Sequence, residues 1–445
     1  MLSKKTFLLA ALLILSFFMG AQFHKQEIWP FGQGYYHAFK MIKKYGLDYK
    51  DIVTEEQKDR NLRKFYLDQE LKAKATLVDF TAEKIETLDL VSGNKMDRYL
   101  IQPGIFNLGI SNMNPGSGYL DFYGDDLFLL SARGILGYTK DLEGNELFFK
   151  QIKNNLNDFI NEKQFLKPGY KSWFSFKDLT IAGDKIFISY TEEISEDCWN
   201  TSVLFSEINY ENLIFIKLFS APNCISSSRK FNATEAGGRI VTYDNEHILL
   251  TVGNYGFKAS PEAQDPNMVN GKILKINIDD SSFEFLSMGH RNPQGLLYNQ
   301  NKNFLIETEH GPSGGDEINI VELDLPLKKN NFGWPLASYG KNYGDDKPVS
   351  QSHKAGGFQE PIKYFIPSIG ISEILNIGGD NYVVGSMSAD RALRFFSLGH
   401  NNIYEGEKRI SVKERIRDLK FKNGKLFLFL EDTASIGVIN LKSSQ

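Results

Sequence analysis

The sequence predicts an all-β fold, a six-bladed β-propeller, because one short pattern recurs six times along its 445 residues. Each unit holds an apolar strand, a turn with Gly, Asn or Asp, and a second apolar strand. Further strand-like segments follow the units, as at Lys272–Ile278 and Ser435–Leu441. One sheet per unit, repeated six times, is the arrangement of a six-bladed propeller. The six units are Tyr119–Ser131, Phe176–Tyr190, Gly238–Gly253, Gly295–Glu309, Ile371–Ser386 and Ile416–Glu431.

Closure of the ring distinguishes this fold from its alternative, a β-sandwich array. Radial packing removes the exposed sheet edges that a flat array would leave. The similarity of the six units favours the propeller, which we place at residues 76–445. Leu77–Phe80 and Thr87–Val91 are the candidates for the strand that closes the last sheet.

Composition supports a β-rich chain and excludes one class of partner. Apolar residues make up 42% of the chain and aromatic residues 13%, with 34 Phe and 20 Tyr. The formal net charge is −4, and no long run of Lys or Arg occurs. Because nucleic-acid binding requires a basic surface, we expect no nucleic-acid partner.

The N-terminal residues predict export. Two lysines precede the apolar run Phe7–Ala21, which is the order of charged and apolar residues in a secretory signal. Met19 disfavours cleavage after Ala21, because a small residue is preferred at that position. Residues 1–21 are therefore a signal peptide or an uncleaved membrane anchor. Either one places the body of the protein in the periplasm or at the cell exterior, and an anchor would attach it to the inner membrane.

Residues 22–75 predict helices between this run and the propeller. Apolar residues from Tyr36 to Ile42 fall at helical spacing among basic residues, which fits an interfacial helix or an ordinary packing helix. Thr54 begins a charged segment that runs to about Ala75. Its capping signal and composition predict a solvated spacer helix between membrane and body.

The two cysteines, Cys198 and Cys224, lie within one repeat unit. Export permits a disulfide bond, and adjacent strands would bring the two side chains together. Two free, half-buried thiols are the alternative. Metal binding by this pair is not expected, because no histidine or second cysteine pair has ligand spacing.

The stretch from Gly289 to Gly340 has the highest density of polar loop residues. Polar loops at Gly289–Gln294 and Glu309–Glu317 flank the hairpin of the fourth unit. Glycines allow such loops to bring backbone groups close to a ligand or ion. Polar loops on a rigid sheet are where binding and catalytic sites are usually built.

Three motifs in this stretch carry a family resemblance. They read GHRNPQGL, EHGPSGGDEIN and NNFGWPLASYG. The chain resembles the soluble quinoprotein sugar dehydrogenases, also called glucose/sorbosone dehydrogenases, from about Gly104 to Leu441. That family uses pyrroloquinoline quinone (PQQ) and calcium on a six-bladed β-propeller. The resemblance therefore implies the same fold and a site where loops from several blades converge.

The resemblance also implies residues that bind PQQ, a planar tricarboxylate. Arg415 and Arg417 match the family's paired cofactor arginines, and their spacing places them on one face of a strand. Arg291 and Asn292 match the arginine and asparagine beside the quinone, so Arg291 is assigned to both the catalytic group and the cofactor site. The alternative is that Arg415 and Arg417 pair with Glu414 and nearby acids on a blade surface.

The metal site implied by the resemblance uses backbone oxygens. The carbonyls of Gly311 and Pro312 match those that hold calcium against PQQ in the family, and calcium prefers such ligands. Asp316 and Glu317 would bind a second calcium or form the loop's own hydrogen bonds, and we favour the hydrogen bonds. For the adjacent His310 we expect a hydrogen bond that stabilises the loop.

Two positions depart from the family pattern. The family's catalytic base is a histidine before a Gly-Gly-Arg run, and the matching position before Gly237–Arg239 holds Glu235. A carboxylate there is the candidate base for the sugar hydroxyl proton. The family's cofactor lysine is replaced by Ser388, and Arg391, three residues on, is a candidate substitute.

These features predict an exported PQQ- and calcium-dependent aldose dehydrogenase, or a diverged member of that family. A small sugar is the expected substrate, with hydride passing from C1 to the quinone and an electron acceptor that the sequence does not identify. A propeller that binds a carbohydrate or protein without redox chemistry is the first alternative, since fold does not guarantee activity. A calcium-dependent lactone hydrolase is the second.

Overall fold

We describe a computed structural model of the chain. It covers residues 64–90, 93–106, 117–161, 164, 175–226, 231–256, 261–342, 349, 352–388 and 390–441. The predicted leader and interfacial helix lie outside these residues. Among the helices that the structure describes, none is long and apolar enough to cross a bilayer.

An α-helix, α1, occupies residues 64–75 at the start of the described chain. Its end coincides with the predicted end of the spacer helix. The described part is not solvated on all sides, because Leu67, Glu70 and Lys74 are buried. Leu67 belongs to the apolar core between the first two sheets. Burial lowers the pKa of Lys74 to about 7, although Asp158 opposes the shift.

The described residues form 28 β-strands. The N-terminal pair is β1 (Phe80–Asp89) and β2 (Lys95–Ile101). The strands of the first two blades, with three short accessory strands, are β3 (Gly118–Tyr123), β4 (Asp126–Ser131), β5 (Leu136–Thr139), β6 (Glu146–Gln151), β7 (Lys153–Asn154), β8 (Phe176–Ala182), β9 (Lys185–Ser195), β10 (Cys198–Glu207), β11 (Asn212–Leu213), β12 (Ile216–Phe219) and β13 (Ile225–Ser226).

The remaining strands belong to blades three to six. They are β14 (Gly237–Thr242), β15 (His247–Val252), β16 (Lys272–Asn277), β17 (Phe283–Met288), β18 (Pro293–Asn299), β19 (Phe304–Glu309), β20 (Asp316–Glu322), β21 (Lys363–Phe365), β22 (Ile371–Gly378), β23 (Asn381–Ser386), β24 (Ala392–Leu398), β25 (Tyr404–Ser411), β26 (Ile416–Lys422), β27 (Lys425–Leu430) and β28 (Ser435–Asn440). Short 3₁₀ helices occupy Leu156–Asp158, Pro261–Gln264, Lys354–Gly356 and His400–Asn402.

All six predicted hairpins are confirmed as antiparallel strand pairs. Each starts a four-stranded blade whose first strand is innermost. In the described part of the chain, the inner strands β3, β8, β14, β18, β22 and β26 contact one another in that cyclic order. The ring is therefore closed, and the predicted six-bladed propeller is confirmed while the β-sandwich array is excluded.

The strand that closes the ring differs from both candidates. β2, not Leu77–Phe80 or Thr87–Val91, pairs with β28 and completes the sixth blade. β1 pairs with β2 on one side and with β6 of the first blade on the other. β2 suits the closing position because Met96, Tyr99 and Ile101 are buried against the sixth blade and its neighbours.

The apolar core lies between adjacent blades rather than in one central layer. Six buried clusters, counted over the described residues, each join two neighbouring blades. This leaves the axis of the ring to polar and charged side chains.

The predicted disulfide is confirmed, since Cys198 and Cys224 are bonded to each other. Cys198 begins β10, and Cys224 directly precedes β13, which pairs with β10. The bond therefore fixes the outer part of the second blade.

Candidate active site

Loops from four blades converge at the end of the ring where the inner strands begin. Glu235 precedes β14, Arg291 precedes β18, Gly370 precedes β22 and Arg415 precedes β26. They line a cavity of about 190 Å³, here called the loop cavity. Its lining residues are Glu235, Arg291, His310, Gly311, Pro312, Asp316, Ser368, Gly370, Met387, Ser388 and Arg415. The structure thus brings most of the predicted site residues together.

Arg291 lines the loop cavity, and only 2% of it is exposed. Its Nη1 lies 2.9 Å from Glu235 Oε2. The same nitrogen donates hydrogen bonds to the backbone carbonyls of His310 (3.0 Å) and Gly311 (2.8 Å). Its backbone N–H donates to Glu309 Oε2 at 2.5 Å. Arg291 therefore connects the Glu235 loop to the predicted calcium loop.

Glu235 is held from two sides. Besides its ion pair with Arg291, its Oε1 lies 3.4 Å from Nδ2 of Asn232. Gly253 packs against the backbone of Glu235, and a Cβ at Gly253 would lie 2.1 Å from the Glu235 carbonyl oxygen, so glycine is required there. The turn therefore presents the carboxylate to the loop cavity in one fixed position.

Asp316 forms the hydrogen bonds of the predicted calcium loop. Its Oδ1 accepts from the N–H of Gly311 at 3.2 Å. Its Oδ2 accepts from the N–H groups of Ile369, Gly370 and Ile371 at 2.9, 2.6 and 3.1 Å. A carboxylate with several backbone donors fits the structural alternative that the sequence favoured.

Arg415 and Arg417 share one acidic partner, Glu431. Arg415 Nε lies 3.1 Å from Glu431 Oε2, and Arg417 Nη2 lies 3.0 and 2.8 Å from the two carboxylate oxygens. The alternative named Glu414 as a partner of the two arginines, but Glu414 pairs with Arg98. Burial raises the pKa of Glu431, but Arg417 and Arg415 outweigh this effect and lower it to about 2.

The two arginines nevertheless face different spaces. Arg415 lines the loop cavity, whereas Arg417 lines a smaller cavity of about 20 Å³ with Lys177 and Arg239. The sequence predicted one shared face from the alternation of an ideal strand. A β-bulge between Ile416 and Asp418 breaks that alternation.

His310 forms the expected loop hydrogen bond. Its Nε2 lies 2.7 Å from the carbonyl oxygen of Ile371, so Nε2 carries the proton and donates it. Burial lowers the pKa of His310, although the charges of Asp316 and Glu235 oppose the shift. The ring is therefore neutral near neutral pH, with Nδ1 as its acceptor atom.

Comparison with known proteins decides the family. The family model for Glucose / Sorbosone dehydrogenase matches residues 181–439. The chain belongs to the glucose/sorbosone dehydrogenase family.

Curated relatives agree with this assignment. An uncharacterised protein of Synechocystis sp. is 30% identical over 211 residues, which is 41% of this chain and half of the Synechocystis protein. Aldose sugar dehydrogenase YliI of Escherichia coli is 27% identical over 289 residues, 58% of this chain and 74% of that protein. Quinoprotein glucose dehydrogenase B of Acinetobacter calcoaceticus is 29% identical over 154 residues, 28% of this chain and 30% of that protein.

Solved structures share the propeller fold. A glucose dehydrogenase crystal structure superposes with a TM-score of 0.59 at 23% identity, covering 74% of this chain and 96% of that one. The soluble aldose sugar dehydrogenase of Escherichia coli, in its apo-form, gives a TM-score of 0.60 at 21% identity, with coverages of 73% and 96%.

Besides Arg417, three predicted residues of this family member do not line the loop cavity. Asn292 Oδ1 accepts from the N–H of Gly237 at 3.1 Å, so Asn292 supports the Glu235 turn. Arg391 forms an ion pair with Asp432 at 2.9 Å and does not line the loop cavity where Ser388 does. Its proposed substitution for the family lysine stays a prediction.

Glu317, the third such residue, belongs to a buried acidic group that sequence reasoning missed. The group contains Glu307, Glu309 and Glu317, with Asn319 between them. Burial, reinforced by the charge of Glu309, raises the pKa values of Glu307 and Glu317 well above the ordinary value. The signal was visible as the alternating acids Glu307 and Glu309 on a strand whose first three residues are apolar.

A second missed group lies on the axis. Arg239 forms ion pairs with Asp178, Glu373 and Asp418. Burial raises the pKa of Glu373 to about 8 and that of Asp178 to about 6, against the opposing charge of Arg239. Each of the four is the third residue of its inner strand, which is a periodic signal that the sequence offered.

We expect Glu431→Gln to lower the free energy of unfolding by about 3 kcal/mol at neutral pH, because it leaves two buried guanidinium groups without their shared carboxylate. A carboxyl group whose folded-state pKa is lowered stabilises the folded state above its ordinary pKa. That contribution is lost as the pH falls toward the folded pKa of about 2. Urea unfolding at several pH values measures both effects.

The control is Glu143→Gln, since Glu143 is 85% exposed and lies 3.9 Å from Lys425. It should change stability by no more than about 0.5 kcal/mol. The difference between wild type and Glu431→Gln should shrink below about pH 4. A difference that stays constant down to the acid transition contradicts the assigned ion pairs.

Proposed function

We propose that the chain is an exported sugar dehydrogenase that oxidises an aldose with PQQ and calcium in the loop cavity. The observation that supports this proposal is the convergence of Glu235, Arg291, Arg415 and the Gly311–Pro312 loop on one cavity. The names of two relatives, an aldose sugar dehydrogenase and a quinoprotein glucose dehydrogenase, agree with it.

The residues of the loop cavity fit an anionic quinone and a cation. Arg291 and Arg415 supply planar, bidentate donors of the kind that carboxylates require. Gly311 and Pro312 supply the backbone oxygens that calcium prefers. The loop admits no side chain at Gly311, because a Cβ there would lie 2.2 Å from the Gly315 carbonyl oxygen. Backbone rather than side-chain groups therefore form this wall.

When bound, PQQ supplies an acceptor for the hydride of the sugar C1, and calcium polarises that acceptor. Glu235 is the group in the loop cavity that accepts the proton of the sugar hydroxyl. Arg291, 2.9 Å away, orients the carboxylate and fixes it beside the carbonyls of His310 and Gly311. Arg415, held by Glu431 and by the carbonyl of Met387 at 2.7 Å, orients a carboxylate of the cofactor.

Export and membrane attachment through Phe7–Ala21 are part of the proposal. The apolar run and its preceding lysines support it, although they lie outside the described residues. The disulfide of Cys198 and Cys224 supports an oxidising compartment such as the periplasm or the cell exterior. The electron acceptor is not specified.

A binding protein without redox activity is the second candidate. It is favoured because the arginines of the site already have acidic partners within the protein. Arg291 pairs with Glu235, and Arg415 and Arg417 share Glu431. Ser388 stands where the family has a cofactor lysine. In this case the loop cavity would bind a neutral carbohydrate or a protein segment rather than a tricarboxylate.

Titration of the full chain with PQQ and calcium separates the two candidates. For the dehydrogenase we expect saturable PQQ binding at micromolar concentration, seen as a shift of the quinone absorbance. We also expect reduction of an electron-accepting dye when aldoses are added. Arg415→Ala should weaken PQQ binding by at least about tenfold, because it removes one charged hydrogen-bond partner. Absence of PQQ binding with calcium present contradicts the dehydrogenase and leaves the binding protein.

We expect Glu235→Gln to lower kcat at least about 100-fold, because an amide cannot accept the hydroxyl proton. PQQ binding, measured by absorbance, should be retained. Glu235→His should restore turnover, since a neutral imidazole can act as base at this position. The control is Glu246→Gln, an exposed acid in the hairpin turn between β14 and β15. Full activity in Glu235→Gln would show that another group accepts the proton.

A further inference from the structure

A second group of potential ligands lies in the fourth blade, separate from the loop cavity walls. Glu307 and Glu309 alternate along β19, so both side chains project from the same face of the sheet. Directly opposite them on β20 are Asn319 and Glu317, respectively. Like charges that face each other across two strands destabilise a sheet. This arrangement therefore needs a compensating group.

His290 completes the group from the loop before β18. Its Nδ1 lies 3.3 Å from Glu309 Oε1 and 3.7 Å from Glu307 Oε2. Its Nε2 lies 2.7 Å from Ser287 Oγ, which fixes the ring. One ligand atom each from His290, Glu307 and Glu309 lie within 4.8 Å of one another.

The hydrogen-bond donors of this group are too few for its acceptors. The Asn319 amide has two hydrogens, yet its Nδ2 lies 3.0 Å from Glu307, 3.1 Å from Glu309 and 3.5 Å from Glu317. Within the described chain, Glu307 Oε1 and Asn319 Oδ1 have no hydrogen-bond partner. Both residues are fully buried, where an unsatisfied oxygen costs about 1–3 kcal/mol.

The acidic side chains of this group also lack Lys or Arg partners in the described part of the chain. Over the described residues, the ion-pair partners of Glu307, Glu309 and Glu317 are histidines, namely His290 and His353. Ionised together, three buried carboxyl groups without an Arg or Lys partner are strongly unfavourable. A divalent cation bound by His290, Glu307 and Glu309 supplies the positive charge that the ionised carboxylates lack.

The geometry points to a divalent metal site formed by His290 Nδ1 and the carboxylates of Glu307 and Glu309. A set dominated by oxygens with one imidazole suits Mn²⁺ and related divalent ions, since calcium prefers oxygens alone. The site uses none of the cavity-loop carbonyls assigned to calcium. It does not depend on the function proposed above.

The site would also fix the position of Arg291. Glu309 Oε2 accepts the backbone N–H of Arg291 at 2.5 Å, while Glu309 Oε1 faces His290 and Asn319. A metal on Glu309 therefore immobilises the residue that anchors the start of β18. Glu309 is in this sense a positioning residue that links the metal to the loop cavity.

The test uses the full chain, stripped of metals with a chelator and titrated with Mn²⁺. We expect one bound Mn²⁺ per chain, measured by loss of the signal of the free aqueous ion in electron paramagnetic resonance. Pulsed spectra of the bound ion should show coupling to one imidazole nitrogen, which no site made only of oxygens can give. Absence of bound Mn²⁺, or a bound ion without nitrogen coupling, overturns the proposal.

Matched variants locate the ion. Glu307→Gln keeps the side-chain shape and should weaken Mn²⁺ binding at least about tenfold. Glu322→Gln changes an exposed acid of β20, in the same blade, and should bind as wild type does. With chelator present, Glu307→Gln should melt above wild type, because it removes one of three carboxyl groups that are buried together; with Mn²⁺ the order should reverse. If Glu307→Gln binds Mn²⁺ with the affinity of the wild type, the site is refuted. If Glu307→Gln does not fold, His290→Gln serves for the same test.

Discussion

The guanidinium of Arg239 joins the inner strands of four blades at the propeller axis. From β14 it pairs with Asp178 of β8 at 2.7 Å, Glu373 of β22 at 2.6 Å and Asp418 of β26 at 2.8 Å. All four side chains are almost fully buried. Removing one member of such a group costs about 3–5 kcal/mol, because the remaining charges stay buried and unpaired. The positions of the inner strands therefore depend on this one cation.

Two of these acids, together with Asp121 of β3, also connect neighbouring inner strands around the ring. Asp121, Asp178 and Asp418 each accept a hydrogen bond at 2.7 Å from a backbone N–H of the next blade's inner strand. Because the loops that line the loop cavity lead directly into inner strands, their separation is set by these axial contacts. Glu235 and Arg291, which arrive from neighbouring blades, meet at 2.9 Å for this reason. The same axial contacts therefore determine both the stability of the ring and the geometry of the site.

Local signals in the sequence were sufficient for the hairpins and for part of the site. A Gly, Asn or Asp turn between two apolar strands specifies a hairpin without distant contacts, so all six were predictable. The convergence of Arg291, Arg415 and the Gly311 loop followed from the expected ring. Partners that are distant in the chain were not predictable: Arg239 and Asp418 are 179 residues apart, and β2 closes the ring by pairing with β28. The bulge that turns Arg417 away from the loop cavity has no local signature either.

We propose that axial packing places Arg291 and Arg415 around an anionic ligand that is bound to a cation. A crystal structure of the full chain soaked with PQQ and calcium tests this claim most directly. The account predicts electron density for the quinone in the loop cavity, with its carboxylates against Arg415 and the ion against the carbonyls of Gly311 and Pro312. A soaked crystal in which the Arg291–Glu235 pair is unchanged and the cavity contains solvent alone would contradict it.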